Sequence, residues 1–210
     1  MNQASPGPYS ITNLPASTNY WVSAFLDSNG NGTQDLWEAA GSYSHNPVYL
    51  SNHVSGIDIT LVDPPVDLTI AANPSQHDAP QPFGYGLHTL PGGTSVTATV
   101  SSPADESNGT RYAAGGWSGT GSVPASGTGT VVTFTLLTNS VLTWQWQPEY
   151  YLDAEAGSNG SVDVADGWHT NGDTVAITAS ATNGYLFTNW TGSVTASNRY
   201  DNPLTLSMDQ

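Results

Sequence analysis

Short runs of alternating apolar and polar residues recur along this chain, and each run predicts a strand. The segment Tyr20-Trp21-Val22-Ser23-Ala24-Phe25-Leu26 is rich in aromatic and branched side chains. Tyr9-Ser10-Ile11 and Leu14-Pro15 precede it and are expected to pair with it as a hairpin. Val48-Tyr49-Leu50 and Ile57-Asp58-Ile59-Thr60-Leu61 are two further strand candidates. Leu36-Trp37-Glu38-Ala39-Ala40 suits one short helical turn. Asp63-Pro64-Pro65 should end this first unit, because consecutive prolines stiffen a linker and cannot continue a ladder.

The pattern then repeats. Gly86-Leu87-His88-Thr89 leads into Gly93-Thr94-Ser95-Val96-Thr97-Ala98-Thr99, and Gly167-Trp168-His169-Thr170 leads into Gly172-Asp173-Thr174-Val175-Ala176-Ile177-Thr178-Ala179. Tyr112 and Trp117-Ser118-Gly119 match Tyr185 and Trp190-Thr191-Gly192; Phe134-Thr135-Leu136 matches Leu204-Thr205-Leu206. Ordered identities at this many points mark an internal repeat. The loop from Ser101 to Thr110, acidic at Asp105-Glu106, is the main length difference. Asn139-Ser140-Val141-Leu142-Thr143-Trp144-Gln145-Trp146 alternates strongly, placing Leu142, Trp144 and Trp146 on one face. The third unit stops before any equivalent of that strand. Gln147-Pro148-Glu149-Tyr150-Tyr151 is a short linker, which should hold the last two units rigidly.

The expectation is an all-β chain of three small tandem domains, over residues 1–64, 65–149 and 150–210, the last two being copies of one repeat. Cores of this size are marginal, since a domain of about 60 residues buries only about 60% of its unfolded surface. With no Cys for disulfides, extra stability has to come from a bound ion or from contacts between domains.

One stretch carries chemistry: Asp27-Ser28-Asn29-Gly30-Asn31-Gly32-Thr33-Gln34-Asp35-Leu36-Trp37-Glu38. A calcium loop of about 12 residues supplies oxygens from positions 1, 3, 5, 7, 9 and 12, with Gly at 6. Counted from Asp27, those positions hold Asp27, Asn29, Asn31, Thr33, Asp35 and Glu38, with Gly32 at the turn. Thr33 would give its backbone carbonyl, Asp35 would act through water, and Glu38 could bind through both oxygens. The plainer alternative is an Asn/Gly-rich turn, which leaves Asp35 and Glu38 unexplained. The flanking strand and the Gln34 at position 8 point to a lone structural Ca2+ site rather than a paired sensor. Modest affinity, about 10⁻⁵ to 10⁻³ M, follows from three carboxylates on an unpaired loop.

Charge narrows the partners. Seventeen acids face only Arg111 and Arg199, for a net charge of −15. Nucleic acid and anionic membrane surfaces both demand cationic patches, so neither is expected. No apolar run reaches the length of a membrane span, so no insertion is expected. Met1-Asn2-Gln3-Ala4-Ser5-Pro6 has neither a basic start nor an apolar stretch, so an export signal would lie outside this chain.

No catalytic constellation is read from the sequence, and no enzyme activity is expected of this chain. His88 and His169 share a repeat position, which suits a scaffold role; His45, His53 and His77 lack metal-ligand spacing. The Gly-rich stretch 115–129 has no P-loop Lys and reads as a loop between strands. Ser118 fails the nucleophile-elbow pattern. Asp105-Glu106 and the Asp63/Asp67 pair could be imagined as glycosidase carboxylates, but acids on polar loops are usually solvated. Trp117 and Trp190 are repeat-core positions; Trp21, Trp37 and Trp168 remain as possible glycan-stacking faces.

The pattern Tyr9-x-Ile11-x-x-Leu14-Pro15, Tyr20-x-Val22-x-Ala24-Phe25-x-Asp27, the ion loop and Ile57-x-Ile59-x-Leu61 resembles the prealbumin-like, carboxypeptidase-regulatory-type β-sandwich of bacterial surface proteins. That family has one or two strands before the equivalent of Tyr9, so the first domain is expected to be incomplete at its N-terminus. Gly172 to Ala179, Gly184 to Gly192 and Asn202 to Leu206 resemble the divergent B-repeat of internalin-type surface proteins. The second unit departs from it, with Arg111-Tyr112-Ala113-Ala114-Gly115-Gly116-Trp117 in place of the Gly-Tyr-x-Phe start. Together the resemblances imply a β-sandwich followed by two repeat-type β-grasp-like units, in an extracellular or cell-surface structural or adhesive module. Open strand slots at both ends suggest self-association into a fibre by strand complementation, or contact with neighbouring domains of a longer chain. The alternative is an accessory, glycan-binding module of a larger secreted enzyme.

Overall fold

The computed structural model describes residues 7–209; the segment in which a leader was sought, residues 1–6, lies outside it. The described residues form an all-β protein of 17 strands with no helix.

The first unit has four short strands, β1 (Thr18–Tyr20), β2 (Ser23–Phe25), β3 (Ala40–Ser42) and β4 (Val48–Leu50). β1 pairs with β4 and β2 with β3, both antiparallel. The single strand expected over residues 20–26 is therefore broken at Trp21 and Val22. The Asn46 side chain explains the break: its Oδ1 accepts from Val22 N–H and its Nδ2 donates to Val22 carbonyl, both at 2.9 Å. A side-chain amide occupies the backbone groups that a ladder would use, and the chain changes partner there. Residues 9–15 form no strand with it; instead the Tyr9 hydroxyl donates to the Ile57 carbonyl at 2.7 Å. Residues 57–61 alternate in exposure but join no ladder, and Ala40 bridges Val62 just beyond them. The helical turn expected over 36–40 does not form: the chain makes one tight turn closed by Glu38 N–H to Asp35 carbonyl, and Ala40 already opens β3.

The second unit contains β5 (Pro65–Asn73), β6 (Gly86–Pro91), β7 (Thr94–Thr99), β8 (Ala104–Ser107), β9 (Thr110–Thr120), β10 (Ser126–Gly127), β11 (Val131–Leu136) and β12 (Ser140–Leu152). One sheet runs β10-β9-β12-β5-β6, with β8 on the edge of β9. A second, two-stranded layer pairs β11 with β7. Alternation builds the core between them. Val66, Leu68 and Ile70 of β5 and Leu142, Trp144 and Trp146 of β12 are buried from one layer; Val96, Ala98, Val132, Phe134 and Leu136 are buried from the other. β5 was not expected as a strand, because the proline pair reads as a linker; Pro65 instead opens it, opposite Pro91 of β6.

The Gly-rich stretch 115–129, expected as one loop, begins inside β9 through Thr120 and includes β10, with turns between and after them. Gly127 lies against the Trp117 ring, where a Cβ would collide with the indole. Absence of side chains there lets β10 close over Trp117, which is partly buried and packed on the core.

The third unit contains β13 (Gly160–Val162), β14 (Gly167–Thr170), β15 (Thr174–Ile177), β16 (Ala179–Ala181) and β17 (Leu204–Ser207). The repeat is carried into space: β7 pairs with β11 as β15 pairs with β17. β5 pairs with β6 as the last residues of β12 pair with β14. The expected linker 147–151 is thus itself strand. Leu152, Ile177 and Met208 form the small core, with Trp190 packed against it. Residues 185–192, counterpart of much of β9, join no ladder, and Tyr185 and Leu186 are exposed.

Asp163 ties β13 to the strands beside it. Its Oδ1 accepts from Thr178 N–H at 2.6 Å, and that hydrogen bond holds its carboxyl below the usual carboxylate range. A depressed folded pKa contributes stability above the unfolded value, about 3.9, and loses it as pH falls through the folded value. Asp163→Asn keeps an acceptor and removes the charge. It is expected to lower the melting temperature at pH 7, with the difference from wild type shrinking below about pH 4. Parallel melts at pH 7 and pH 2.5 check this; a constant difference would assign the effect to shape rather than charge.

Candidate functional site

The β2–β3 hairpin presents the acidic loop. Its neck is closed by Leu26 N–H to Ala39 carbonyl at 2.8 Å. Gly30 and Gly32 take the left-handed conformation, at φ 74° and 77°, which turns the backbone amides inward. Asp27 Oδ1 accepts from the N–H groups of Gly30 and Asn31, and Oδ2 from that of Gly32 at 2.9 Å. The Asn29 and Asn31 side-chain amides donate to Asp35 Oδ2 at 2.6 and 2.9 Å. Thr33 closes the turn, its N–H and hydroxyl both meeting Asn31 Oδ1. Glu38 is 2% exposed. Its two oxygens accept from Ser28 N–H at 2.6 Å and Asp35 N–H at 3.0 Å, at opposite ends of the loop.

Asp27, Asn29, Asn31, Thr33, Asp35 and Glu38 are thus joined in one hydrogen-bonded ring. Its three carboxylates are met only by neutral donors. Neither arginine serves them: Arg111 Nε bonds Glu149 at 2.6 Å, and Arg199 lies in the third unit. A buried carboxylate facing only neutral dipoles is an expensive arrangement, and a divalent cation would relieve it. The oxygen-rich donor set suits a hard ion such as calcium. Among the described residues no three His, Cys, Asp or Glu side chains converge by themselves as a metal cluster, so amide and backbone oxygens would have to complete the shell.

The other candidates disperse, with one exception. His88 Nε2 bonds the Gly84 carbonyl, and His169 sits in the ladder opposite Tyr150. Ser118 accepts from Gln145 and has no basic partner. Asp67 accepts from the Thr89 hydroxyl. Trp21 is 73% exposed, but Trp37 and Trp168 are partly buried. Trp168 is already covered, with the Arg111 guanidinium 4.4 Å above it and Tyr151 at its edge. No glycan-stacking platform of these three is assembled.

The exception is His77. It is buried, with Nε2 at 2.8 Å from Ser75 Oγ and Nδ1 at 2.8 Å from Asp105 Oδ2. Along the sequence His77 stands isolated, with no metal-ligand spacing around it. The 28 residues between His77 and Asp105 hide this arrangement, and the only local signal is the Ser-x-His spacing.

Two cavities stand out among the described residues. One, of about 870 Å³, opens in the first unit among Tyr9, Ile11, Tyr20, Val48, Val54 and Ile57. The other, of about 310 Å³, lies in the third unit beside Tyr185, Phe187 and Trp190. Among the described residues no helix is long and apolar enough to cross a membrane.

The divergent InlB B-repeat domain family matches residues 150–210. No curated protein and no solved structure matches the chain. The third unit is therefore similar to a B-repeat domain, and the second unit shares its strand pairing.

Proposed function

We propose that the chain is a structural module of a bacterial surface or secreted protein, stiffened by calcium and joined to its neighbours by strand exchange. The observation that carries this reading is the B-repeat match over residues 150–210, a domain of internalin-type surface proteins. Calcium would sit on Asp27, Asn29, Asn31, Thr33, Asp35 and Glu38, the side-chain amides turning their oxygens toward it. The ion would pin the loop between β2 and β3 and so stabilise a unit in which, among the described residues, Ala39 is the one buried apolar side chain.

Strand exchange draws on the cavity of the first unit. Tyr9, Ile11 and Leu14 remain exposed along it, and apolar residues beside unpaired backbone are a template for another strand. A second copy of the chain is the occupant we favour, in a head-to-tail contact that yields filaments when the rotation does not close. Light scattering and electron microscopy at micromolar protein test this. Ordered polymers are expected in calcium, with shorter ones in chelator. A monodisperse monomer in both conditions would overturn the assembly part of the reading.

A further inference from the structure

The hydrogen-bonded row Ser75–His77–Asp105 has the order and the atoms of a nucleophilic triad, and nothing in the surface-module reading uses it. Ser75 and His77 lie in the loop after β5; Asp105 lies on β8, the edge strand of the acidic hairpin. Ser75 is exposed, whereas the His77 ring is buried. That ring is packed by two aromatic groups, and the His77 backbone is anchored by a third. Tyr112 stacks on it at 3.5 Å and 16°, and Trp146 meets it edge-on at 5.6 Å. The Tyr85 hydroxyl donates to the His77 carbonyl at 2.7 Å and accepts from Trp146 Nε1 at 3.2 Å. Aromatic packing therefore holds one imidazole edge toward the serine and the other toward the carboxylate.

The chemistry depends on which nitrogen faces which partner. A base that takes a serine proton through Nε2 must carry its own proton on Nδ1, and a carboxylate at Nδ1 enforces that tautomer. Here Asp105 is at Nδ1 and Ser75 at Nε2. A purely structural clip between loop and hairpin would not need the serine. Asp78 already supplies a clip, accepting from Ser101 N–H at 2.6 Å. The N–H groups of Gln76, His77 and Asp78 bond no backbone acceptor among the described residues, which leaves donors in the serine's own loop for a developing oxyanion.

We propose that Ser75 is an activated nucleophile that cleaves unhindered carboxylic esters presented at the protein surface. Ser75 Oγ attacks the acyl carbon and its proton passes to His77 Nε2. The bond to the alcohol breaks, and the alcohol leaves with that proton. Water, deprotonated by the same nitrogen, then releases the acid from Ser75. Asp105 acts as a positioning residue, and its exposure, 57% of the side chain, suits an open site for accessible esters rather than a deep pocket.

The intact chain is treated with a fluorophosphonate probe and mapped by peptide mass spectrometry, and hydrolysis of p-nitrophenyl acetate is followed in parallel. One adduct on Ser75 is expected, absent from Ser75→Ala, an exposed change that leaves the melt unaltered. Asp105→Asn should slow labelling by at least about 10-fold, with partial recovery in Asp105→Glu, which restores the carboxylate. Absence of an adduct on Ser75, with equal ester hydrolysis by wild type and Ser75→Ala, would overturn the proposal and leave the row as a hydrogen-bond clip. Neither outcome depends on calcium or on assembly.

Discussion

Replacing Trp144 with alanine is expected to cost the second unit about 3–5 kcal/mol. The indole is completely buried at the centre of the larger sheet, opposite Trp117 in the ladder and edge-on to its ring at 6.0 Å. It packs in one cluster with both strand layers, so the hole cannot close by moving a single neighbour. Domains of this kind hold about 5–15 kcal/mol in total, and the loss would consume much of that. Urea denaturation followed by near-ultraviolet circular dichroism measures it. Trp21→Ala is the control, since an exposed indole should matter by no more than about 0.5 kcal/mol. A cost below about 1 kcal/mol for Trp144→Ala would show that the two layers do not share this core.

With calcium held on the acidic loop as proposed, Glu38→Gln is expected to remove the stabilisation the ion would give. A ligand at about 100 times its dissociation constant adds about 2.7 kcal/mol to the folded state. In a small domain that raises the melting temperature by on the order of 10 °C or more. Glu38 closes the loop from its far end and is the most buried of the candidate ligands, so losing its charge should abolish that shift. In chelator the variant should lie within about 1 kcal/mol of wild type. The lost acceptor for one backbone amide is offset there by the removal of a buried charge. Calorimetry with and without calcium separates the two effects. An equal calcium shift in both proteins, or none in wild type, would remove calcium from the account of this loop.

The strands of the repeated units were legible where alternation was undisturbed. Leu142, Trp144 and Trp146 sit on one face and are buried as expected. β5 has the same alternation through Val66, Leu68 and Ile70, but Pro64-Pro65 reads as a break. Proline is tolerated at the first position of a strand, and that is where Pro65 lies. The split of residues 20–26 was not legible, because it depends on Asn46, 24 residues after Val22 in the chain. The acidic loop was legible because all its donors fall within one short, regularly spaced segment. The Ser75–His77–Asp105 row was not, since its third member arrives only when the β8–β9 hairpin folds back. Local chemistry is written in spacing; chemistry assembled across a sheet is written in topology, which spacing does not encode.

β12 does more than border the core. It lies parallel to β5 over Ser140 to Gln145, opposite Leu68 to Asn73, and then continues without interruption into the third unit. β5 leads in from the first unit and β12 leads out to the third, so tension between the two ends draws these parallel neighbours past one another lengthwise. Their hydrogen bonds are then loaded in shear and must yield together, rather than opening one by one as in a peeled hairpin. Resistance of that kind is set by the height of the unfolding barrier rather than by equilibrium stability. The pairing that organises the fold thus also makes the second unit a mechanical clamp in the line of pull.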